Sequence, residues 1–133
     1  MSTFHLKIST PDGLKFDGEV ERLRVRMIDG DVSLLARHMD YVSAVGAGEA
    51  AILMADGQTR NAACIGGMLA MINNEANLIA TTFEWADEID LDRAKRAKES
   101  AEARIAAAQN DDKELLLAQA KLQRALVRIG VKH

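Results

Sequence analysis

The side chains able to do chemistry are few and do not converge. Three histidines, His5, His38 and His133, fall in a strand pattern, a loop and the extreme terminus. That scatter does not suit a metal, which needs three or four donors aimed at one point. The single cysteine, Cys64, excludes an internal disulfide and a cysteine-ligated cluster. Set in the apolar run Ala62–Ile65, it reads as an inert core thiol. There is no glycine–lysine phosphate loop, dinucleotide fingerprint, HExxH or paired-cysteine motif. With no convergent acid–base set, no residue is assigned a catalytic role and no metal is expected.

The remaining chemistry lies with arginine. Arg22, Arg24 and Arg26 alternate with Leu23, Val25 and Met27, a basic row on the outer face of a half-buried strand. Such a row is either solvated or a grip for a partner's carboxylates. Arg93, Lys95, Arg96, Lys98 and Arg104 spread around a predicted helix, where Glu99 and Glu102 partly neutralise them. Arg124 and Arg128, four apart, share one face of a second helix. Forked guanidinium donors on one face suit phosphate or an acidic surface, though they can also be surface decoration. His38 is either a solvated, loop-bracing imidazole or part of a site. Trp85, the one tryptophan, is expected to anchor packing where two modules join.

Two unlike modules must carry these residues. Eight of nine glycines and the only proline lie before Met68, while Glu88 to Ile129 contains neither. Gly and Pro punctuate strands and turns, and their absence lets helices run. Over residues 1–83, alternating apolar residues such as Phe4, Leu6 and Ile8, with turn signals at Thr10–Gly13, Asp29-Gly30, Asp56-Gly57 and Asn73-Asn74, predict eight or more short strands. Gly66-Gly67 is read as an interruption between two of them. The expected fold is a β-sandwich (a flattened antiparallel β-barrel) over residues 1–85, followed by an α-helical antiparallel hairpin over 86–133.

In the hairpin, Asp90 should cap a helix from Leu91 to Ala108, and Gln109–Asp112 should break it. Asp111 should cap the second helix, with Glu114 three residues on and Gly130 as its C-terminal cap. Leu91, Ala94, Lys98, Ala101, Ile105 and Ala108 should face Leu115, Ala118, Leu122, Ala125 and Ile129. An alanine-rich seam buries little area, so the pair is expected to be detachable.

A net charge of −3 over 133 residues gives no field drawing the chain to nucleic acid or an anionic membrane. No stretch reaches the roughly 20 apolar residues that span a bilayer, so no direct membrane insertion is expected. The start, Met1-Ser2-Thr3-Phe4-His5, lacks the basic region and apolar run of a signal or transit peptide, and a soluble protein is expected.

The order of several short pieces resembles the epsilon-subunit family of F-type ATP synthases over essentially the whole chain. These are Phe4-His5-Leu6, Thr10-Pro11-Asp12, Phe16, Gly18–Glu21, Asp29–Leu35, His38, Gly66-Gly67, Asn73-Asn74, Ile89–Ala94 and Arg124-Ala125 with Arg128. The resemblance implies a non-catalytic central-stalk rotor subunit of bacterial type. It would bind the gamma subunit and the c-ring and couple proton or sodium flow to ATP synthesis. Its place would be peripheral, on the cytoplasmic face of the bacterial cell membrane. The ring contact would lie at Asp29, Gly30, Asp31 and Val32, with His38 nearby. The hairpin could extend to the alpha and beta subunits and obstruct ATP hydrolysis.

No cofactor is required, but some members of the family bind ATP as a regulatory ligand through an Ile-Asp-x-x-Arg-Ala motif. Here that motif is Ile89, Asp90, Arg93 and Ala94, with Glu84, Arg124 and Arg128 as further candidates. This chain departs from the family at Ser100, where the ATP-binding members have arginine. It departs again at Ser33 in place of glycine, and by lacking the prolines that usually flank His38. The alternative is a stand-alone nucleotide-sensing or protein-binding module that uses the hairpin.

Overall fold

The structure, a computed structural model, describes residues 2–108 and 110–132. Gln109 of the expected polar break and the terminal His133 lie outside the described residues. Contacts divide the chain into two compact units, Met1–Trp85 and Ala86–His133.

The first unit is a β-sandwich of seven strands: β1 Phe4–Thr10, β2 Gly13–Met27, β3 Gly30–Leu35, β4 Tyr41–Ala44, β5 Ala47–Met54, β6 Thr59–Ile72 and β7 Glu75–Trp85. The expected eight or more short strands are corrected to fewer and longer ones. β2 has 15 residues and β6 has 14, and each serves two neighbours in succession. The first half of β2 pairs with β1 and the second half with β3 and β5. β6 pairs with β5 up to Ile65 and with β4 from Met68, while β7 follows its length. The ring β1-β7-β6-β5-β2 closes through the β1–β2 pairing, which gives the flattened barrel, and β1 runs parallel to β7.

Gly66-Gly67, expected from the sequence to be an interruption, does not end a strand. It lies inside β6 where the strand changes partners, with φ of 72° and 108°. A Cβ on Gly67 would fall 1.9 Å from the Ile79 carbonyl oxygen, so only glycine fits there. Alternation along each strand sends Phe4, Leu6, Ile8, Leu23, Val25, Leu69, Met71 and Leu78 into one core. Trp85 closes that core from within the sandwich, edge-on to Phe83 at 4.9 Å and to Phe16 at 6.2 Å. The Arg60 guanidinium lies 3.7 Å above the indole centre and occupies that face.

The second unit opens with a 3-10 turn, Ala86–Glu88, followed by α1 Leu91–Ala107 and α2 Asp112–Lys132. The Asp90 carboxylate accepts the Arg93 N–H at 3.1 Å, and the Asp111 carboxylate accepts that of Glu114 at 3.1 Å, capping both helices. Ala94, Ala101, Ala108, Ala118 and Ala125 are buried on the expected seam. Gly130 is not a C-terminal cap. The helix continues through it to Lys132, whose ammonium donates to the Ala86 carbonyl at 3.0 Å. Burial of Val131 just beyond Gly130 opposes the cost, about 1 kcal/mol, of a mid-helix glycine.

Candidate functional site

Within the sandwich, three surface features stand out. The first is the acidic turn between β2 and β3, where Met27 pairs with Gly30 and Ile28-Asp29 form the two-residue loop. Gly30 adopts φ 127°, which the tight connection needs. Ile28 is 64% exposed at the tip, and Asp31 leans on Arg26 at 3.8 Å. Arg24 pairs with Glu49 at 3.4 Å. Two members of the basic row are thus engaged within the unit. Val32 points back toward the core.

The second feature is the loop holding His38, expected near that turn. Topology separates them: β3 runs between the two, and six residues of extended chain span about 20 Å. His38 therefore sits at the opposite end of the strand, where its Nδ1 lies 2.7 Å from the Met39 carbonyl and its ring meets Tyr41 edge-on at 6.1 Å. The loop is tied to the β6–β7 turn. Arg37 N–H donates to Asn74 Oδ1 at 2.6 Å, and Asn73 N–H donates to Asp40 Oδ1 at 3.1 Å.

The third feature is the outward face of β4, β6 and β7, which alternation alone does not single out as special. Cross-strand register sets Val42 beside Ala70, and Ala44, Met68 and Ile79 in one row. Val42 is 59% exposed, Met68 46%, Ile79 59% and the neighbouring Ile72 49%. On β7 the same face carries Asn77 and Glu75, so the apolar part runs along β4 and β6 and reaches Ile79. Contiguous exposed apolar side chains of this kind favour a binding surface.

The hairpin carries a separate, cationic groove of about 280 Å³. Arg104, Lys121, Arg124 and Arg128 line it with Ser100, Ala97 and Ala101, and no carboxylate does. The expected Arg124 and Arg128 are there. Arg104 and Lys121 complete it, and the three-and-four spacing of Lys121, Arg124 and Arg128 was the signal for the latter. Of the expected nucleotide motif, Ile89 and Ala94 are buried and Asp90 caps α1. Arg93 is exposed and is not part of the groove lining. Glu84 belongs to β7, in the other unit. Four cations and a hydroxyl can hold a polyanion without any acid–base chemistry. Burial pushes the Cys64 thiol up to about 12, which keeps it protonated and unreactive. Among the described residues no group of three or more His, Cys, Asp or Glu could hold a metal, and no helix is long and apolar enough to cross a membrane.

Residues 3–86 match the family described as "ATP synthase, Delta/Epsilon chain, beta-sandwich domain". Residues 87–132 match "ATP synthase, Delta/Epsilon chain, long alpha-helix domain". The ATP synthase epsilon chain of Bacillus velezensis is 37% identical over 131 residues, 98% of this chain and 98% of its own length. That of Shouchella clausii is 33% identical over 134 residues, 100% of this chain and 98% of its own. The sodium-ion-specific epsilon chain of Acetobacterium woodii is 38% identical over 111 residues, 84% of this chain and 80% of its own. A chain of the Euglena gracilis mitochondrial ATP synthase, solved with OSCP, F1 and c-ring, shares the fold with a TM-score of 0.81. That match covers 92% of this chain and 77% of that one at 18% identity. With both parts matched in chain order and relatives aligned nearly end to end, the chain belongs to the ATP synthase delta/epsilon family, as an epsilon subunit.

Proposed function

We propose that the chain is a non-catalytic rotor part that binds the gamma subunit and the c-ring together, so that ion-driven rotation of the ring is passed to the stalk during ATP synthesis. The observation that carries this reading is the apolar outer face of β4, β6 and β7, which a folded sandwich has no reason to leave in water unless a partner covers it. That face is assigned to gamma. The acidic turn Asp29–Asp31, with Val32 behind it, is assigned to the ring, where basic loops would complement its charge. His38 lies at the other end of β3 from that turn, so the ring contact proposed here centres on Asp29–Val32 without it. In this role the subunit is peripheral on the cytoplasmic face of the bacterial cell membrane.

Binding of the full chain to purified gamma tests the assignment. Ile79→Glu places a charge in the apolar row without touching the core, and is expected to weaken gamma binding about a hundredfold at unchanged Tm. Wild-type chain that fails to bind gamma at micromolar concentration would sink the reading.

The cationic groove favours a second, compatible role. Arg124, Arg128, Arg104 and Lys121 would take the phosphates of ATP as a regulatory ligand that holds the hairpin folded, with Arg93, nearer the start of α1 and outside the groove lining, as a more distant contact. Without ATP the hairpin would extend toward the alpha and beta subunits and slow hydrolysis. Ser100 removes one cation from that set. A flat calorimetric trace at millimolar ATP would exclude the ligand, and equal ATPase rates with and without residues 88–133 would exclude inhibition. If gamma binding fails while ATP binding holds, a stand-alone nucleotide sensor is the better description.

A further inference from the structure

The β3–β4 loop contains an arginine where the backbone calls for glycine. His38 N–H donates to the Leu35 carbonyl at 3.1 Å, closing a four-residue turn over Leu35–His38. Arg37, the third residue of that turn, has φ 65°, while Ala36 before it is not in the left-handed region. This is the type II pattern, whose third position favours glycine because a Cβ there is strained. Residues held in such conformations persist only where surrounding bonds over-determine them, and they gather at sites of function.

Here the bonds are visible. Asn74 Oδ1 accepts the Arg37 N–H at 2.6 Å, while its Nδ2 donates to the Thr3 carbonyl at 3.3 Å. Asp40, at the far end of the loop, accepts the Asn73 N–H at 3.1 Å. Asn73 and Asn74 are themselves left-handed, at φ 52° and 64°, forming the two-residue turn that joins β6 to β7. One side-chain amide thus stitches together the start of β1, the strained turn and the β6–β7 hairpin. No glycine or proline in residues 31–45 shapes the loop in its place.

The arrangement holds the Arg37 backbone against the β6–β7 turn, two residues beyond exposed Ile72. Arg37 is exposed and, unlike Arg24 and Arg26, makes no ion pair among the described residues. The strands it adjoins carry Ile72, Val42 and Met68, and Met39, two residues on, is 81% exposed. Arginine is enriched at protein interfaces, and a charge on the rim of an apolar patch steers association and makes it salt-dependent.

We propose that Arg37 is a specificity-determining contact of this face, set in place by the Asn74 amide to meet a carboxylate on the gamma subunit. The proposal rests on the reading that gamma covers β4, β6 and β7. Arg37→Gly is the decisive variant, because glycine suits φ 65° and removes only the side chain. It is expected to keep or raise Tm while weakening gamma binding roughly tenfold at low salt, with a shallower salt dependence than wild type. Asn74→Gly keeps the left-handed hairpin turn but cuts the stitch. It is expected to weaken binding by a smaller factor, because the loop must then be ordered on association.

Wild-type affinity and salt dependence in Arg37→Gly would overturn the proposal while leaving the gamma reading standing. A Tm several degrees lower in Arg37→Gly would overturn it too, by showing that the side chain serves the loop's own stability. Wild-type chain that does not bind gamma removes both.

Discussion

In the sandwich the buried side chains are large, Phe4, Leu6, Ile8, Leu23, Leu69 and Leu78 among them, each 0% exposed; along the hairpin seam they are Ala94, Ala101, Ala108, Ala118 and Ala125. A fully buried leucine or phenylalanine contributes about 1.5–3 kcal/mol of transfer free energy, and a methyl group far less. The sandwich also closes its ring of strands, so a local opening breaks ladders on two sides. The hairpin has two caps and one seam. The first unit is suited to transmit force and present fixed surfaces, whereas the second is suited to open at modest cost.

The sharpest test of that contrast is Leu78→Ala, expected to destabilise the sandwich by about 2–5 kcal/mol in urea melts followed by Trp85 fluorescence. Next in size is Ala101→Leu, which overfills a seam that needs small residues. It should cost the hairpin about 1–3 kcal/mol, seen as loss of helical circular dichroism at unchanged Trp85 fluorescence. A matching shift in the Trp85 transition would break the comparison, because the units would then unfold as one. Asp90→Ala removes the α1 cap and should cost about 1 kcal/mol of helix stability, leaving gamma affinity unaltered.

The smallest effect lies at the sandwich edge. His5 Nδ1–H donates to Glu19 at 3.0 Å and Nε2–H donates to Asp17, while Glu75 stands opposite His5 on β7. These bonds, that to Asp17 first, raise the His5 pKa above its ordinary value. A raised histidine pKa adds stability that is complete below the unfolded value and is lost as pH climbs through the folded one. Tm should therefore drift slightly downward from about pH 6 into the alkaline range, and His5→Gln should flatten the drift.

Local rules made the hairpin legible nearly residue by residue. Its seam is an arithmetic of threes and fours, and its caps, Asp90 and Asp111, act on the N–H three residues ahead. The error at Gly130 came from reading a glycine near a helix end as a stop when its backbone stays helical. In the sandwich, alternation placed the core correctly but could not count strands. Whether Gly66-Gly67 ends a strand or kinks one depends on which neighbour each half pairs with. The candidate sites divide the same way. Arg124 and Arg128 were readable as one helix face, whereas the distance between Asp29 and His38 followed from where β3 runs.

By itself, the sequence determined the division into a strand-rich and a helical unit, the inward faces of both and the helix caps, because each depends on contacts within one turn or one strand period. Only the tertiary structure decided the closure of the barrel, the exposed apolar face that brings Val42, Met68 and Ile79 together, and the stitch from Asn74 to Arg37 across 37 residues of chain. Those features join segments far apart in sequence, and pairing register, which local propensity does not encode, is what brings them together.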